Sequence, residues 1–292
     1  QIFQQYKGLI MQQRDSMSNP HDILLVGHYD HDTIVTPDGK KYQRQGGPVS
    51  HMTPFLKAAN VDFNVVSKIG KDFLYTSNLH NPVDVSDKPT TAWLGDYTKQ
   101  EREMKFLSIC DPIALDDIST SAKVMIACGV ANEILPGTIE KMRKNSEVLL
   151  CDMQAFCRRA KEDGTIYHID PMKTWFKDYA GHFDFIKMSS SEAKFIDVDA
   201  MRKKTNVIVT KGENGCVIFM KDGRQIGMPA FKREEIDPTG AGDAFLAGFA
   251  IGLLKKIPIE ECARIANYFG AIAVMHIGVP VVTKDDLKEL GL

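Results

Sequence analysis

The chain has 292 residues, 43% of them hydrophobic, and a formal net charge of −2. This is enough apolar material for one large buried core, and near-neutral charge with no long block of one sign excludes the basic footprint of a nucleic-acid partner. The longest apolar stretch, Ala244–Leu254, is too short to cross a bilayer, so no membrane partner is expected.

Residues 1–20 are polar and Gln-rich, without the apolar centre of a signal peptide, and are read as a flexible leader before one domain spanning 21–292. Apolar, β-branched runs at 22–27, 63–69, 123–128, 147–153, 183–188, 206–210 and 216–220 predict strands. Several are continuously apolar, as in strands covered on both faces. Helix-like segments lie at 135–145, 172–180 and 191–203, and helices at 259–275 and 284–290 close the chain. The alternation predicts a three-layer α/β/α sandwich on a mostly parallel sheet. Two segments break it. A hairpin at 33–45 turns on Pro37-Asp38-Gly39, and a short strand lies near 90–95. A helix after Gly47 carries Pro54, which predicts a kink. The six cysteines (110, 128, 151, 157, 216, 262) form no Cys-x-x-Cys pair and mostly sit in apolar runs. They are read as reduced and structural, which places the protein in the cytoplasm.

Polar residues at strand ends come next. In an open α/β sheet the crevice beyond the C-terminal ends of the strands holds the ligand. The first strand leads there into Gly27-His28-Tyr29-Asp30-His31-Asp32. A carboxylate there can accept from the vicinal hydroxyls of a polyol, or simply form a turn. His28 and His31 suggest a metal only weakly, for want of a third ligand. Gly46-Gly47 lets backbone approach a ligand, or makes a plain turn. Asn132 and Glu133 reach the crevice edge, and Gln154 is either a hydroxyl contact or a helix-start residue. Ser189-Ser190-Ser191-Glu192 reads as a helix cap, and Thr210-Lys211-Gly212-Glu213-Asn214-Gly215 as a Gly-rich hairpin.

The most specific string is Asp237-Pro238-Thr239-Gly240-Ala241-Gly242-Asp243, directly before an amphipathic run with Leu246, Phe249, Ala250 and Leu253 at helical spacing. Small residues at a helix start let backbone amides face an anion. Asp243 in the first turn is placed to take a proton from an attacking hydroxyl. There is no Gly-x-x-x-x-Gly-Lys-Ser/Thr, which excludes a P-loop, and Phe245 replaces the third glycine of a dinucleotide fingerprint.

This string resembles the C-terminal signature of the ribokinase-like, or PfkB, carbohydrate kinases, and the resemblance extends from about His21 onward. It implies a ribokinase-like fold with a small β lid formed by the segments 33–45 and 90–95, here short. A short lid favours a monomer or weak dimer. It implies Gly240, Ala241 and Gly242 as the anion hole and Asp243 as the base. It further implies Asp32 (Asp30 second), Gly46, Gly47 and His51, where the family often has Asn, at the acceptor, with Gln154 a candidate contact. ATP would lie along Thr210, Lys211, Gly212, Glu213, Asn214 and Gly215, with Asn267 beside the adenine. Ser189, where the family has Asn, and Glu192 would hold phosphate and magnesium-bound water. Asp237 would lie beside a monovalent cation such as K+.

Within the family, Val66-Ser67-Lys68-Ile69-Gly70, Cys110-Asp111-Pro112-Ile113, Glu133-Ile134-Leu135-Pro136, Asp152-Met153-Gln154-Ala155 and His276-Ile277-Gly278 are most similar to the plant-type branch acting on myo-inositol. The expected activity is therefore ATP- and Mg2+-dependent phosphorylation of a small neutral polyol, foremost myo-inositol to its 3-phosphate. The alternatives are a fructose, ribose or adenosine kinase, or a non-catalytic kinase-like regulator. Near a helix N-terminus, Asp243 is expected to be ionised at neutral pH.

Overall fold

The computed structural model describes residues 20–81, 83–98 and 103–291. The expected leader, apart from Pro20, lies outside them.

An eight-stranded sheet organises the chain, in the order Gln225–Met228, Cys216–Phe219, Asn206–Thr210, Phe185–Ser189, Ser146–Asp152, Ala122–Ala127, His21–Val26, Phe63–Val66. The strands from Asn206–Thr210 to Phe63–Val66 run parallel, and the two at the other edge are antiparallel. The continuous apolar runs have a direct cause. Ile23 and Leu25 of the first strand point into one core, with the helices Pro48–Ala58, Ala241–Leu254 and Ile259–Ala273. Leu24 and Val26 point into the other, with the helix Pro136–Lys144. Both faces are covered, so both alternating sets are apolar. From its first strand the chain moves outward to Phe63–Val66, then returns to Ala122–Ala127 on the opposite side. That reversal opens a crevice at the C-terminal ends of the two adjacent strands.

A second sheet of four strands stands over this end, in the order Lys41–Gly46, Asp30–Val35, Ala92–Asp96, Glu103–Ser108. The expected hairpin is its antiparallel pair. The expectation of a reduced sheet is corrected, because Glu103–Ser108 adds a strand. That segment, EMKFLS, lacks a clean apolar alternation, and it gains its order by pairing with Ala92–Asp96. Asp30 belongs to this sheet rather than to a turn after the first strand.

Other boundaries also differ. The run 63–69 divides at Ser67, whose hydroxyl accepts the Tyr29 amide at 3.0 Å, and Lys68–Gly70 pairs with Asp84–Ser86 instead. The expected helix over 172–180 is broken at Thr174. Its hydroxyl bonds Pro171 O and the Phe176 amide, competing with the backbone ladder. The expected helix over 191–203 is a turn at Glu192–Lys194 followed by a new helix, Val198–Arg202, started by Asp197 accepting from Ala200 N at 2.9 Å. The segment 284–290 forms 3-10 turns. Pro54 does lie inside its helix. All six cysteines are buried and unpaired, and no helix among the described residues is long and apolar enough to cross a membrane.

Candidate active site

The Asp237–Asp243 string forms a tight turn into the helix Ala241–Leu254. Gly240 takes the left-handed conformation, φ 80°, and precedes the first helical residue. The first intrahelical bond runs from Ala244 N to Gly240 O at 2.9 Å, so the Gly242 and Asp243 amides precede the ladder. The Ala241 amide turns back to Pro238 O at 3.3 Å, a long bond, and is the least free of the expected anion-hole donors. Glycine is needed at 240 for a second reason. A Cβ there would lie 2.2 Å from His51 Nδ1.

Asp243 is 9% exposed, and its Oδ1 accepts Gln154 Nε2 at 3.2 Å. Burial, with the nearby Asp152 carboxylate, pushes its pKa up to about 7; Lys187 and Arg158 act in the opposite direction. The expectation of a fully ionised carboxylate at neutral pH is thereby corrected. Loss of solvation outweighs the helix terminus.

Beneath the turn lies a pair that sequence reasoning did not single out. Asp152 ends the strand Ser146–Asp152, Lys187 stands opposite it in the middle of the neighbouring parallel strand Phe185–Ser189, and Nζ meets Oδ2 at 2.8 Å, with both side chains buried. A Cβ on Gly242 would lie 2.5 Å from that Nζ, which sets the ammonium beside the expected anion hole. Burial works against the charged lysine, but Asp152, Glu192 and Asp243 outweigh it and raise its pKa. Burial outweighs Lys187 at Asp152 and raises that carboxyl. The available signal was a lysine inside an otherwise apolar strand run, at 187, and a carboxylate closing another such run, at 152.

On the acceptor side, Asp30 and Asp32 are buried in the small sheet. A Cβ on Gly46 would lie 1.8 Å from Asp32 Oδ1, and one on Gly47, φ 86°, would lie 2.5 Å from His28 O. Both Asp30 oxygens are buried with no hydrogen-bond partner among the described residues. Burial, with Asp32 and Glu133, raises the Asp30 pKa well above the usual carboxylate range. His51 is likewise buried, with neither ring nitrogen bonded among the described residues. Burial and Arg44 lower its pKa to about 4, so the ring is neutral. The metal alternative at His28 fails because Nδ1 meets Thr91 Oγ1 at 2.9 Å and Nε2 meets Asp111 O at 3.0 Å. Glu133 is also committed, accepting the Val130 and Ala131 amides, and Asn132 bonds Arg158 O and Arg159.

Ser189 and Glu192 face each other, with the Ser189 amide and hydroxyl donating to Oε2 at 2.8 and 2.9 Å. Oε1 lies 4.0 Å from Arg158 Nη2. Burial opposes ionisation of Glu192, but Arg158, Lys187 and the Ser189 bonds outweigh it and lower its pKa. Thr210 ends its strand, and Lys211–Asn214 form an exposed turn closed by Lys211 N donating to Gly215 O at 2.7 Å. Asn267 is buried, and its Nδ2 is spent on the Met228 and Pro229 carbonyls. Asp237 accepts from Arg44 Nη1 at 2.8 Å. The structure thus gathers Asp243, Gln154, Lys187, His51 and the Gly240–Gly242 turn with Asp32, whose charge reaches Asp243.

Residues 142–284 match the model of the pfkB family carbohydrate kinases. Similar relatives include the inositol 3-kinase of Arabidopsis thaliana, 36% identical over 92% of this chain and 77% of the relative. That of Zea mays is 34% identical over 88% and 73%. In fold the chain resembles a pyrophosphate-dependent kinase of the ribokinase family in its sulfate complex (TM-score 0.78, 23% identity, 91% of this chain and 99% of that one). It also resembles the ribokinase of Thermotoga maritima (TM-score 0.68, 18% identity, 92% and 99%).

Proposed function

We infer the reaction from one premise: the chain belongs to the pfkB family of carbohydrate kinases and is a phosphotransferase with an alcohol acceptor. The acceptor is a hydroxyl of myo-inositol, and the product is myo-inositol 3-phosphate, the activity named for the plant relatives. The observation that carries this reading is the meeting of two sets of residues. Asp30 and Asp32, two buried carboxylates suited to polyol hydroxyls, lie near enough to Asp243, in the first turn of its helix, for their charges to act on one another.

Asp32 and Asp30, with Gly46 and Gly47 giving access and His51 and Gln154 alongside, orient the acceptor. Asp243 takes the proton of the attacking hydroxyl. The Gly240–Gly242 turn and Lys187 stabilise charge on the transferring phosphoryl group. ATP is the donor, bordered by the 210–215 segment. The structural role of the Asn267 Nδ2 leaves only its oxygen for the adenine. The Ser189–Glu192 pair suits Mg2+ through water, because Glu192 is held ionised with Oε2 already oriented. When bound, the metal neutralises phosphate charge. A monovalent cation fits poorly at Asp237, whose carboxylate already receives Arg44. We place the protein in the cytoplasm, where buried free thiols stay reduced, as a monomer or weak dimer.

The test is a panel of myo-inositol, other cyclitols, fructose, ribose and adenosine, with ATP or pyrophosphate as donor and the product position assigned by NMR. With ATP, kcat/KM for myo-inositol should exceed the others by about 100-fold. A preference for ribose or adenosine overturns the acceptor. A preference for pyrophosphate overturns the donor. ATP binding without turnover on any acceptor overturns the catalytic reading.

A further inference from the structure

We propose that Arg44 is an internal cation that takes the place of a bound alkali ion beside the anion hole, so that turnover does not depend on K+. The inference rests on the kinase reading above. It starts from the partners of Asp237. Oδ2 accepts from Arg44 Nη1 at 2.8 Å and from the Gly278 amide at 3.2 Å, while Oδ1 accepts from the Thr239 amide at 2.9 Å. An alkali ion needs oxygen donors around it. Here the carboxylate meets N–H groups, one of them on a full positive charge. The space is fitted to the arginine as well. A Cβ on Gly278 would lie 3.2 Å from Arg44 Cδ and 3.3 Å from Nη1.

The origin of the side chain gives the device a further role. Arg44 stands in the strand Lys41–Gly46 of the small sheet, in register opposite Asp32, with Nε 3.9 Å from Asp32 Oδ2. One guanidinium therefore joins the acceptor-side sheet to the turn that opens the anion hole. A diffusible ion would make no such covalent link to the sheet. Its remaining donors, Nε and Nη2, are buried with no hydrogen-bond partner among the described residues, and so remain for a ligand oxygen. A fixed charge beside developing phosphoryl charge requires no reorganisation during transfer.

The experiment compares KCl with tetramethylammonium chloride at constant ionic strength, for the wild type and Arg44→Ala. Wild-type kcat should agree within about twofold between the salts, and stimulation by K+ of about fivefold or more overturns the proposal. In tetramethylammonium, Arg44→Ala should lose about tenfold or more of kcat and regain part of it on addition of KCl or guanidinium chloride. A folded Arg44→Ala protein whose kcat responds to neither cation overturns the assignment. A melting arm without acceptor or nucleotide separates this outcome from a wrong acceptor. The wild-type Tm should be equal in the two salts and that of Arg44→Ala higher in KCl, since an ion that binds only the folded state stabilises it. A wild-type Tm raised by K+ again overturns the proposal.

Discussion

Gln154 Nε2 donates to Asp243 Oδ1 at 3.2 Å, which ties the start of one short helix to the first turn of another across the cleft. Sequence alone left Gln154 open between an acceptor contact and a helix-start residue, and the structure directs its amide at the Asp243 carboxylate. A hydrogen bond to a carboxylate favours the ionised form. Gln154→Leu should therefore raise the midpoint of the rising limb of kcat/KM against pH by roughly 0.5–1 unit. An unchanged midpoint, with only KM for the acceptor altered, would assign Gln154 to acceptor binding instead.

The Asp243 pKa of about 7 has two consequences of opposite sense. As the proposed base, Asp243 must be ionised to accept a proton, so kcat/KM should rise through pH 7, and Asp243→Asn should lose roughly 100-fold or more of kcat while remaining folded. Stability moves the other way. The unfolded chain releases this proton near the ordinary carboxylate pKa, so the folded state binds more protons between there and pH 7. The contribution is full below the unfolded pKa and is lost as pH rises through 7. Denaturant melts at pH 8 should find Asp243→Asn more stable than the wild type, by on the order of 2 kcal/mol. A less stable variant would show that the carboxylate is not strained by burial.

Gly46 owes its place to contact rather than backbone conformation, since it is not among the residues with positive φ. An added methyl would fall on the Asp32 carboxylate, 1.8–2.3 Å from its atoms. Gly46→Ala should raise KM for the acceptor about tenfold or more while leaving KM for ATP nearly unchanged. Equal effects on both would mean that the substitution disturbs the whole cleft.

What was legible in the sequence was what is local. The strands that cross the middle of the large sheet are continuous apolar runs, and the Asp237–Asp243 string carries its own turn and helix start. What was not legible depends on distant partners. Arg44 and Asp237 are 193 residues apart, and nothing near Arg44 marks it as different from its neighbours on an exposed-looking strand. The strand Glu103–Ser108 has weak periodicity of its own and is ordered by its neighbour. The ionisation of Asp243 was misjudged because a helix terminus can be seen in sequence and the depth of burial cannot.

The Lys187–Asp152 pair allows stability and catalysis to be separated. Both groups are buried, so removing one leaves a stranded charge, whereas removing both leaves none. Lys187→Met alone should destabilise the fold by about 3 kcal/mol and lower kcat by roughly 100-fold. Lys187→Met combined with Asp152→Leu should regain most of the stability, because the desolvated carboxylate has gone. It should not regain kcat, because the ammonium beside Gly242 is still missing. Denaturant midpoints and kcat measured on the same preparations check both. If the double variant recovers turnover together with stability, Lys187 serves only to neutralise Asp152 and has no part in phosphoryl transfer.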